Sequence, residues 1–128
     1  MSLDFDSARL PNNALTSEHH EWRAQLRRFF DREVIPYAEE WDENGAIPDE
    51  LWPKSAAVGI LGLGFPEEFG GITEGIDIWH SIILNEEMAR IAVGGIAATL
   101  MVHGIGLPPV INFGSEAIKQ LVAPPVLT

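Results

Sequence analysis

The 128-residue sequence contains no cysteine, and it has only 8 lysines and arginines against 19 aspartates and glutamates. Without cysteine the chain cannot form a disulfide, a thiolate nucleophile or a zinc–thiolate site, which suits a reducing compartment. Its formal net charge of -11 opposes binding to nucleic acid and to anionic membrane surfaces. Residues 1–13 carry two aspartates before the first arginine and lack an apolar core, so we expect no secretory signal. The sequence therefore favours a cytoplasmic protein.

Charge is also missing from residues 91–115, a run that includes five glycines. That length alone could span a bilayer. However, Pro108, Pro109, His103 and Asn112 interrupt the run, and no basic cluster beside it marks a cytoplasmic side. A helix that is apolar all round is also required at the centre of a helical bundle. We therefore favour a buried helix over a membrane span and expect no span.

Apolar residues recur at three- and four-residue intervals after Thr16, which is a good N-cap. The stripe predicts one long helix that ends at Asn44-Gly45 and is kinked at Pro36, where a backbone hydrogen bond is lost. The predicted inward face comprises Trp22, Leu26, Phe29, Phe30, Val34, Tyr37, Ala38 and Trp41. The arginines predicted on the flanks and the solvent side are Arg23, Arg27, Arg28 and Arg32.

Four shorter helices follow in the predicted order. They cover about Pro48–Val58, Ile76–Val93, Gly95–Phe113 and Ser115–Val122. Gly59 is expected to end the first of them, and the last is expected to have Ser115 as its N-cap and to be stopped by Pro124-Pro125. In the second of these, the residues expected to face inward are Ile78, Ile82, Ile83, Met88 and Ile91. A chain of this length fits one domain with a core. The fold class is therefore all-α, an orthogonal or up-down bundle of about five to six helices.

The stretch GFPEEFGG, residues 64–71, could be a phosphate cradle, a catalytic acid pair or a corner. The glycines around its start are spaced GxxGxG after a helix, which is the wrong order and context for a nucleotide-binding loop. Glu67 and Glu68 are adjacent in a loop, so their side chains point apart and are expected in solvent. With Phe69 as an anchor and Gly70 free to adopt positive φ, we interpret the stretch as a corner.

The histidines and acids do not indicate a metal or catalytic site by spacing. His19 and His20 are neighbours on a helix and point about 100° apart, so both are expected to be exposed. Asp77 and His80 have the spacing of a di-iron ligand pair, but the second pair that such a site needs is missing. His103 is interpreted as a satisfied core or interface histidine. In the predicted helix Ile76–Val93, Glu86, Glu87 and Arg90 are expected to form charge pairs on the solvent face.

Five segments, in order and with matching gaps, resemble a known family. They are LTSEHHEWRAQLRRFFDREVIPYAEEWDENGAIPDELW, VGILGLGFPEEFGG, ILNEEMAR, MVHGIGLPPVINFGSEAIKQ and a closing PPVL. Together they cover nearly everything from Leu15 to Leu127 and are similar to the N-terminal domain of the flavin-dependent acyl-CoA dehydrogenases. The resemblance implies that residues 1–14 are an N-terminal extension and residues 15–128 are the helical domain.

The resemblance further implies a three-domain enzyme that uses FAD and an acyl-CoA substrate. In this family FAD takes a hydride from the β-carbon while a carboxylate removes the α-proton, which gives the trans-2-enoyl thioester. The flavin-binding strands and that carboxylate belong to the middle and C-terminal domains, so no catalytic, cofactor-binding or metal-binding residue is assigned within this chain. In the full enzyme an electron-transferring flavoprotein or similar acceptor and a homo-oligomer are expected.

By the family pattern the fourth predicted helix helps to wall the acyl tail, and the pocket candidates are Leu100, Met101 and Gly104. The chain stops about where the family's middle domain begins, so by itself it is expected to be inactive. The alternative is a stand-alone helical interaction module or split subunit that needs a partner chain. Pro53 and Phe69 depart from the family pattern. Because of these departures, the resemblance does not support an inference about the particular substrate.

Overall fold

The computed structural model describes residues 5–128, which divide into two compact units. Unit 1 comprises residues 5–47 and 77–97, and unit 2 comprises residues 48–76 and 98–128. Residues 1–4 of the predicted N-terminal extension lie outside the described residues. Within residues 5–128, helices and one isolated bridge are present but no sheet, which confirms the all-α class. The α-helices are α1 (Ser17–Glu33), α2 (Ala38–Asn44), α3 (Leu51–Val58), α4 (Ile78–Ala89), α5 (Gly94–Met101), α6 (His103–Phe113) and α7 (Glu116–Leu127).

The predicted long helix of unit 1 is confirmed at both ends but is broken in the middle. Thr16 is the N-cap of α1, and Gly45 ends α2 with a φ of 69°. Between them the proline-containing segment Ile35–Tyr37 forms a 3-10 turn, because proline cannot donate the helical hydrogen bond. The break places Glu39 and Glu40 in the first turn of α2, where the helix dipole favours acidic residues. These acids therefore stabilise the N-terminus of α2, which the continuous apolar stripe in the sequence does not reveal.

The core of unit 1 is carried mainly by α1 and α4, which pack against each other. Its buried apolar residues are Leu26, Phe29, Phe30, Val34, Ala38, Ile83, Leu84, Met88, Ile91 and Ile96. The prediction of an inward-facing side chain is wrong at three positions, since Tyr37, Ile78 and Ile82 are exposed. Ile78 is exposed because it is the first residue of α4, directly after the N-cap Asp77.

In unit 2, α3 begins at Leu51 and ends at Gly59, whose φ is 96°. The later start leaves Pro53 in the first helical turn, where a missing N–H removes no helical hydrogen bond. The core of this unit brings together α6, α7 and the turn Glu67–Phe69. It comprises Phe69, Leu107, Ala123 and Leu127, against which Phe65, Val110, Ile111, Val122 and Val126 pack.

The uncharged segment does not form the single buried helix that was predicted. Helix α5 ends at Met101 and α6 begins at His103, and the stretch Gly94–Phe113 has a mean hydropathy of 1.5 but is only 17% buried. Ile105 and Phe113 are 79% and 88% exposed. By length and composition alone the stretch could cross a membrane, although one such stretch is weak evidence. Nothing within residues 5–128 buries these apolar side chains.

The predicted end of the last helix at Pro124-Pro125 is also wrong. Ser115 caps α7 as predicted, but the helix Glu116–Leu127 continues through both prolines. Proline in a helix costs free energy, and the cost is offset where the flanking turns are packed. Here Ala123 and Leu127 are both buried in the core of unit 2.

Candidate functional site

Three side chains from two helices of unit 1 converge at the N-termini of α1 and α4. His19 Nε2 lies 3.0 and 3.1 Å from the two carboxylate oxygens of Asp77. His80 Nδ1 lies 2.9 Å from Asp77 Oδ1, and the two imidazole centroids are 4.7 Å apart. Both histidines are buried, whereas 49% of the Asp77 side chain is exposed. We call these three residues the histidine–aspartate cluster.

The predicted exposure of the histidine pair is therefore wrong for His19 and confirmed for His20. The two neighbours do point apart, as their spacing requires. The partner of His19 instead comes from a residue 58 positions later in the chain. The spacing of Asp77 and His80 was the sequence signal for this cluster. The sequence does not show that His19, on a distant helix, contacts Asp77.

Each histidine also closes a capping box at the start of its own helix. The Thr16 N–H donates to His19 Nδ1 at 2.9 Å, and the Asp77 N–H donates to His80 Nδ1 at 3.2 Å. Asp77 accepts from the backbone N–H of Trp79 at 2.9 Å. Because His19 Nδ1 is an acceptor, the neutral ring carries its proton on Nε2 and donates it to Asp77. The cluster therefore ties the two helix N-termini together.

The carboxylate of the cluster is strongly acidic. Burial raises the pKa of Asp77, but hydrogen bonds from His19 and His80 outweigh this effect and lower the pKa to about 2. Two imidazole nitrogens and a carboxylate oxygen that is charged near neutral pH thus lie within 4.8 Å of one another. Such nitrogen and oxygen donors suit borderline divalent cations such as Zn²⁺.

A second group of charges is buried further along α1 and α4. Glu87 is fully buried and accepts hydrogen bonds from Arg23 at 3.0 Å and from Arg27 at 2.8 and 3.0 Å, while Arg90 lies 3.3 Å away. Burial raises the pKa of Glu87, but hydrogen bonds from Arg27 and Arg23 lower it below its ordinary value. The predicted pairing of Glu87 with Arg90 is confirmed, but its predicted location on the solvent face is wrong, as is that of Arg23.

The N-terminal turn of unit 1 completes this charged group. The Arg27 guanidinium donates to both carboxylate oxygens of Asp6, at 2.6 and 3.1 Å. Arg9 pairs with Asp6 at 2.6 Å and lies 3.5 Å from Glu86. Hydrogen bonding from Arg27 is the largest effect that lowers the pKa of Asp6. The residues around Glu87 therefore form an ion-pair network with a structural role.

In unit 2 the GFPEEFGG stretch is a corner, as predicted. Glu67–Phe69 forms a 3-10 turn, Phe69 is buried, and Gly70 adopts a φ of 92°. The exposed Glu67 carboxylate accepts from the Thr73 hydroxyl at 2.9 Å, and this hydrogen bond is the main cause of its lowered pKa. Its partners, the Thr73 hydroxyl and the Glu74 backbone N–H, lie in the loop that follows the stretch, so the geometry is that of a loop closure.

Unit 2 also contains an apolar cavity of about 490 Å³. It is lined by Trp52, Leu61, Val102, His103, Gly106, Leu107, Val122, Pro125, Val126 and Thr128. His103 Nε2 donates to the carbonyl oxygen of Leu61 at 2.9 Å, and burial lowers the pKa of His103, so its imidazole is neutral. The side chains of the lining therefore carry no formal charge, and the cavity has the size and polarity of a site for an apolar ligand.

The three pocket candidates from the sequence do not line this cavity. Leu100 is completely buried, Met101 is half-buried and Gly104 is exposed. A Cβ atom built on Gly104 would meet no atom within 4 Å. Of the three, Met101 and Gly104 are therefore the positions that another surface or a ligand could reach.

Comparison with known proteins identifies the fold family. Residues 16–128 match the family described as acyl-CoA dehydrogenase, N-terminal domain. Long-chain specific acyl-CoA dehydrogenase, mitochondrial, from Rattus norvegicus is 38% identical over 108 residues, which are 84% of this chain and 24% of that protein. The chain therefore spans a minor part of the length of this relative.

Solved structures agree with the sequence match. A probable acyl-CoA dehydrogenase from Mycobacterium abscessus superposes with a TM-score of 0.74 and 37% identity, covering 88% of this chain and 30% of that one. A chain in the structure of the electron transferring flavoprotein of Acidaminococcus fermentans gives a TM-score of 0.71 and 27% identity, covering 91% and 30%. The chain therefore belongs to the acyl-CoA dehydrogenase family, as its N-terminal helical domain.

Proposed function

We propose that residues 15–128 serve as the helical N-terminal domain of an FAD-dependent enzyme that dehydrogenates acyl-CoA thioesters between the α- and β-carbons. In this proposal the domain supplies one wall of the acyl pocket, and residues 1–14 are an extension of it. The observation that carries the proposal is the family match over residues 16–128, supported by relatives whose names give that activity. FAD and the catalytic base would be held by the other domains of such an enzyme.

The exposed apolar side chains of unit 2 support a covered surface in the complete protein. Ile105, Phe113 and Leu121 are 79%, 88% and 70% exposed, and Val102 is 58% exposed. Apolar groups of this size at the surface commonly mark an interface. The remaining domains of the dehydrogenase would cover this surface. In the second candidate function, a split or stand-alone helical module, a separate partner chain would cover it instead.

The cellular context follows from the same proposal. An electron-transferring flavoprotein or a similar acceptor would reoxidise the flavin, and the assembled enzyme would be a homo-oligomer. The likeness to a chain in an electron transferring flavoprotein structure supports the choice of acceptor. Cytoplasmic location stays a prediction from composition.

A domain exchange tests the proposed function. Residues 16–128 would replace the matching segment of the rat long-chain enzyme, and the purified chimera would be assayed for flavin absorbance and for dehydrogenation of acyl-CoA. We expect a yellow protein that forms enoyl-CoA, whereas the 128-residue chain alone should be colourless and inactive. A folded chimera that holds FAD but forms no enoyl-CoA would contradict the proposal that this domain forms a wall of the acyl pocket. Flavin-dependent activity of the 128-residue chain alone would contradict the proposal that other domains hold FAD and the catalytic base.

Chain-length preference in the chimera tests the pocket wall. Gly104 and Gly106 both have open space at the Cβ position, and two residues along a helix their side chains point to nearly opposite sides. We expect Gly104→Leu to lower kcat/KM for long acyl chains by about tenfold, relative to short ones, because it shortens the pocket. Gly106→Leu, whose site lines the unit 2 cavity, is the matched control. If only Gly106→Leu alters the preference, the acyl tail occupies the cavity and the Gly104 assignment is wrong.

A further inference from the structure

The histidine–aspartate cluster has the donor atoms of a cation site that spans two helices. His19 comes from α1, Asp77 is the N-cap of α4, and His80 lies in the first turn of α4. The distances from the Asp77 carboxylate to the two ring nitrogens are 2.9 and 3.0 Å. These separations match the edge of an octahedral site with metal–ligand bonds of about 2.1 Å, and they would have to widen by about 0.5 Å for a tetrahedral one. We propose that the cluster binds one borderline divalent cation, such as Zn²⁺, through His19, Asp77 and His80.

The three ligands are held in place before any cation arrives. Both imidazoles are buried and each is fixed by the backbone N–H at the start of its own helix. The ring of His80 also lies 6.5 Å from that of Trp22, whose indole N–H donates to the His80 carbonyl at 3.1 Å. Asp77 remains half exposed and gives the cation a path from solvent. Preorganised side chains of this kind lower the ordering cost of binding.

A ligand exchange at His19 accompanies binding. In the unliganded cluster the proton on His19 Nε2 is donated to Asp77, and the cation takes its place. The ring then carries its proton on Nδ1, where the Thr16 hydroxyl oxygen at 3.1 Å can accept it. A ligand histidine that donates its other N–H to an oxygen is the usual arrangement around protein metals. The Thr16 backbone N–H loses its acceptor in this exchange, and so does the Asp77 backbone N–H, which donates to His80 Nδ1 in the unliganded cluster. These losses make the site one of moderate affinity.

The local charges oppose a cation only weakly. The two helix N-termini contribute partial positive charge, and the full negative charge of Asp77 lies directly between the imidazoles. Arg23, one turn further along α1, is neutralised by Glu86 at 2.6 Å and Glu87 at 3.0 Å. With nitrogen and oxygen donors alone, the site favours Zn²⁺, Ni²⁺, Co²⁺ or Cu²⁺ over Mg²⁺ and Ca²⁺. Bound there, the cation would act as a clip between α1 and α4.

Calorimetric titration of the chelator-treated, untagged chain with Zn²⁺ tests the proposal. The chain has four histidines, so His20 and His103, outside the cluster, provide matched controls. Glutamine at the third position of a helix still closes a capping box, so His19→Gln and His80→Gln keep the fold while each removes one ligand. We expect one equivalent of Zn²⁺ to bind the wild type, His20→Gln and His103→Gln, and the Kd to rise at least about tenfold in His19→Gln and His80→Gln.

Two further readouts separate a built site from adventitious binding. Co²⁺ should give one visible absorption band that His19→Gln abolishes, and Zn²⁺ should slow amide exchange at the starts of α1 and α4 but not in α7. The proposal is overturned if the wild type binds no Zn²⁺, or if all four single variants bind it equally. Loss of binding in His20→Gln alone would assign the cation to the exposed surface of α1. These outcomes do not depend on dehydrogenase activity, so they stand or fall separately from the proposed function.

Discussion

Replacing Glu87 with glutamine is expected to lower the free energy of unfolding of unit 1 by about 3–5 kcal/mol. The carboxylate is fully buried and accepts hydrogen bonds from Arg23 and Arg27, with Arg90 in ion-pair distance. Glutamine has nearly the same shape but removes the charge. Arg23 and Arg27 then lose their buried anionic partner and keep only the partly exposed carboxylates of Glu86 and Asp6. Urea unfolding followed by circular dichroism, with hydrogen exchange at the amides of α1 and α4, measures the loss.

The neighbouring Glu86 provides the matched control. It pairs with Arg23 at 2.6 Å, but 40% of its side chain is exposed, so Glu86→Gln should cost less than about 1 kcal/mol. The two variants differ by one position and make the same chemical change. If they lower the stability of α1 and α4 equally, the buried network does not hold unit 1 together.

The stabilisation by Glu87 should also depend on pH in a defined direction. Its pKa is lower in the folded state than the ordinary carboxylate value of about 4.3, so the folded state favours the charged form. The contribution is therefore fully present above the unfolded-state pKa and is lost as the pH falls through the folded-state pKa. We expect the stability difference between the wild type and Glu87→Gln to be largest near pH 7 and to shrink below about pH 4.

Local signals in the sequence predict the helix boundaries well. Thr16 and Ser115 were identified as N-caps, and Gly45 and Gly59 as helix ends, because each role depends on one residue and its immediate neighbours. The corner at Gly70 could be predicted for the same reason. These features set the all-α class before any long-range contact is known.

The buried polar residues could not be predicted because their partners are distant in the chain. His19 contacts Asp77 across 58 positions, and Arg23 contacts Glu87 across 64. Viewed along α1 alone, both residues are polar side chains beside an apolar stripe, and burial of either looks unfavourable until its partner is known. The candidate cation site was missed for this reason, since its third ligand lies on another helix.

The errors at proline have a different physical origin. Proline was predicted to kink one helix and to stop another, but it breaks the first at Ile35–Tyr37 and is accommodated in α7. The missing N–H costs the same kind of hydrogen bond in both places. Buried residues flank the prolines in both places, Val34 and Ala38 in unit 1 and Ala123 and Leu127 in unit 2, so burial of the neighbouring turns does not distinguish the two outcomes. The position of a proline in the sequence therefore does not reveal whether the helix breaks there.

Replacing Gly71 with alanine is the second change for which we expect a large effect. A Cβ atom at this position would overlap the carbonyl oxygen and the carbonyl carbon of Phe65, and both are backbone atoms. The backbone on either side is fixed, since the Gly71 N–H donates to the Pro66 carbonyl at 3.0 Å. We expect Gly71→Ala to destabilise unit 2 by more than about 3 kcal/mol, because backbone must move to relieve the overlap.

An alanine at Gly106 should have the opposite sign. Gly106 lies within α6, has no positive φ, and would place its Cβ in open space. Alanine is the better helix former there, so Gly106→Ala should stabilise unit 2 by up to about 1 kcal/mol. Urea unfolding and hydrogen exchange in α6 and α7 measure both changes. A Gly71→Ala variant as stable as the wild type would show that the corner does not hold its backbone in the close approach described here, and that the anchoring of Phe69 does not depend on it.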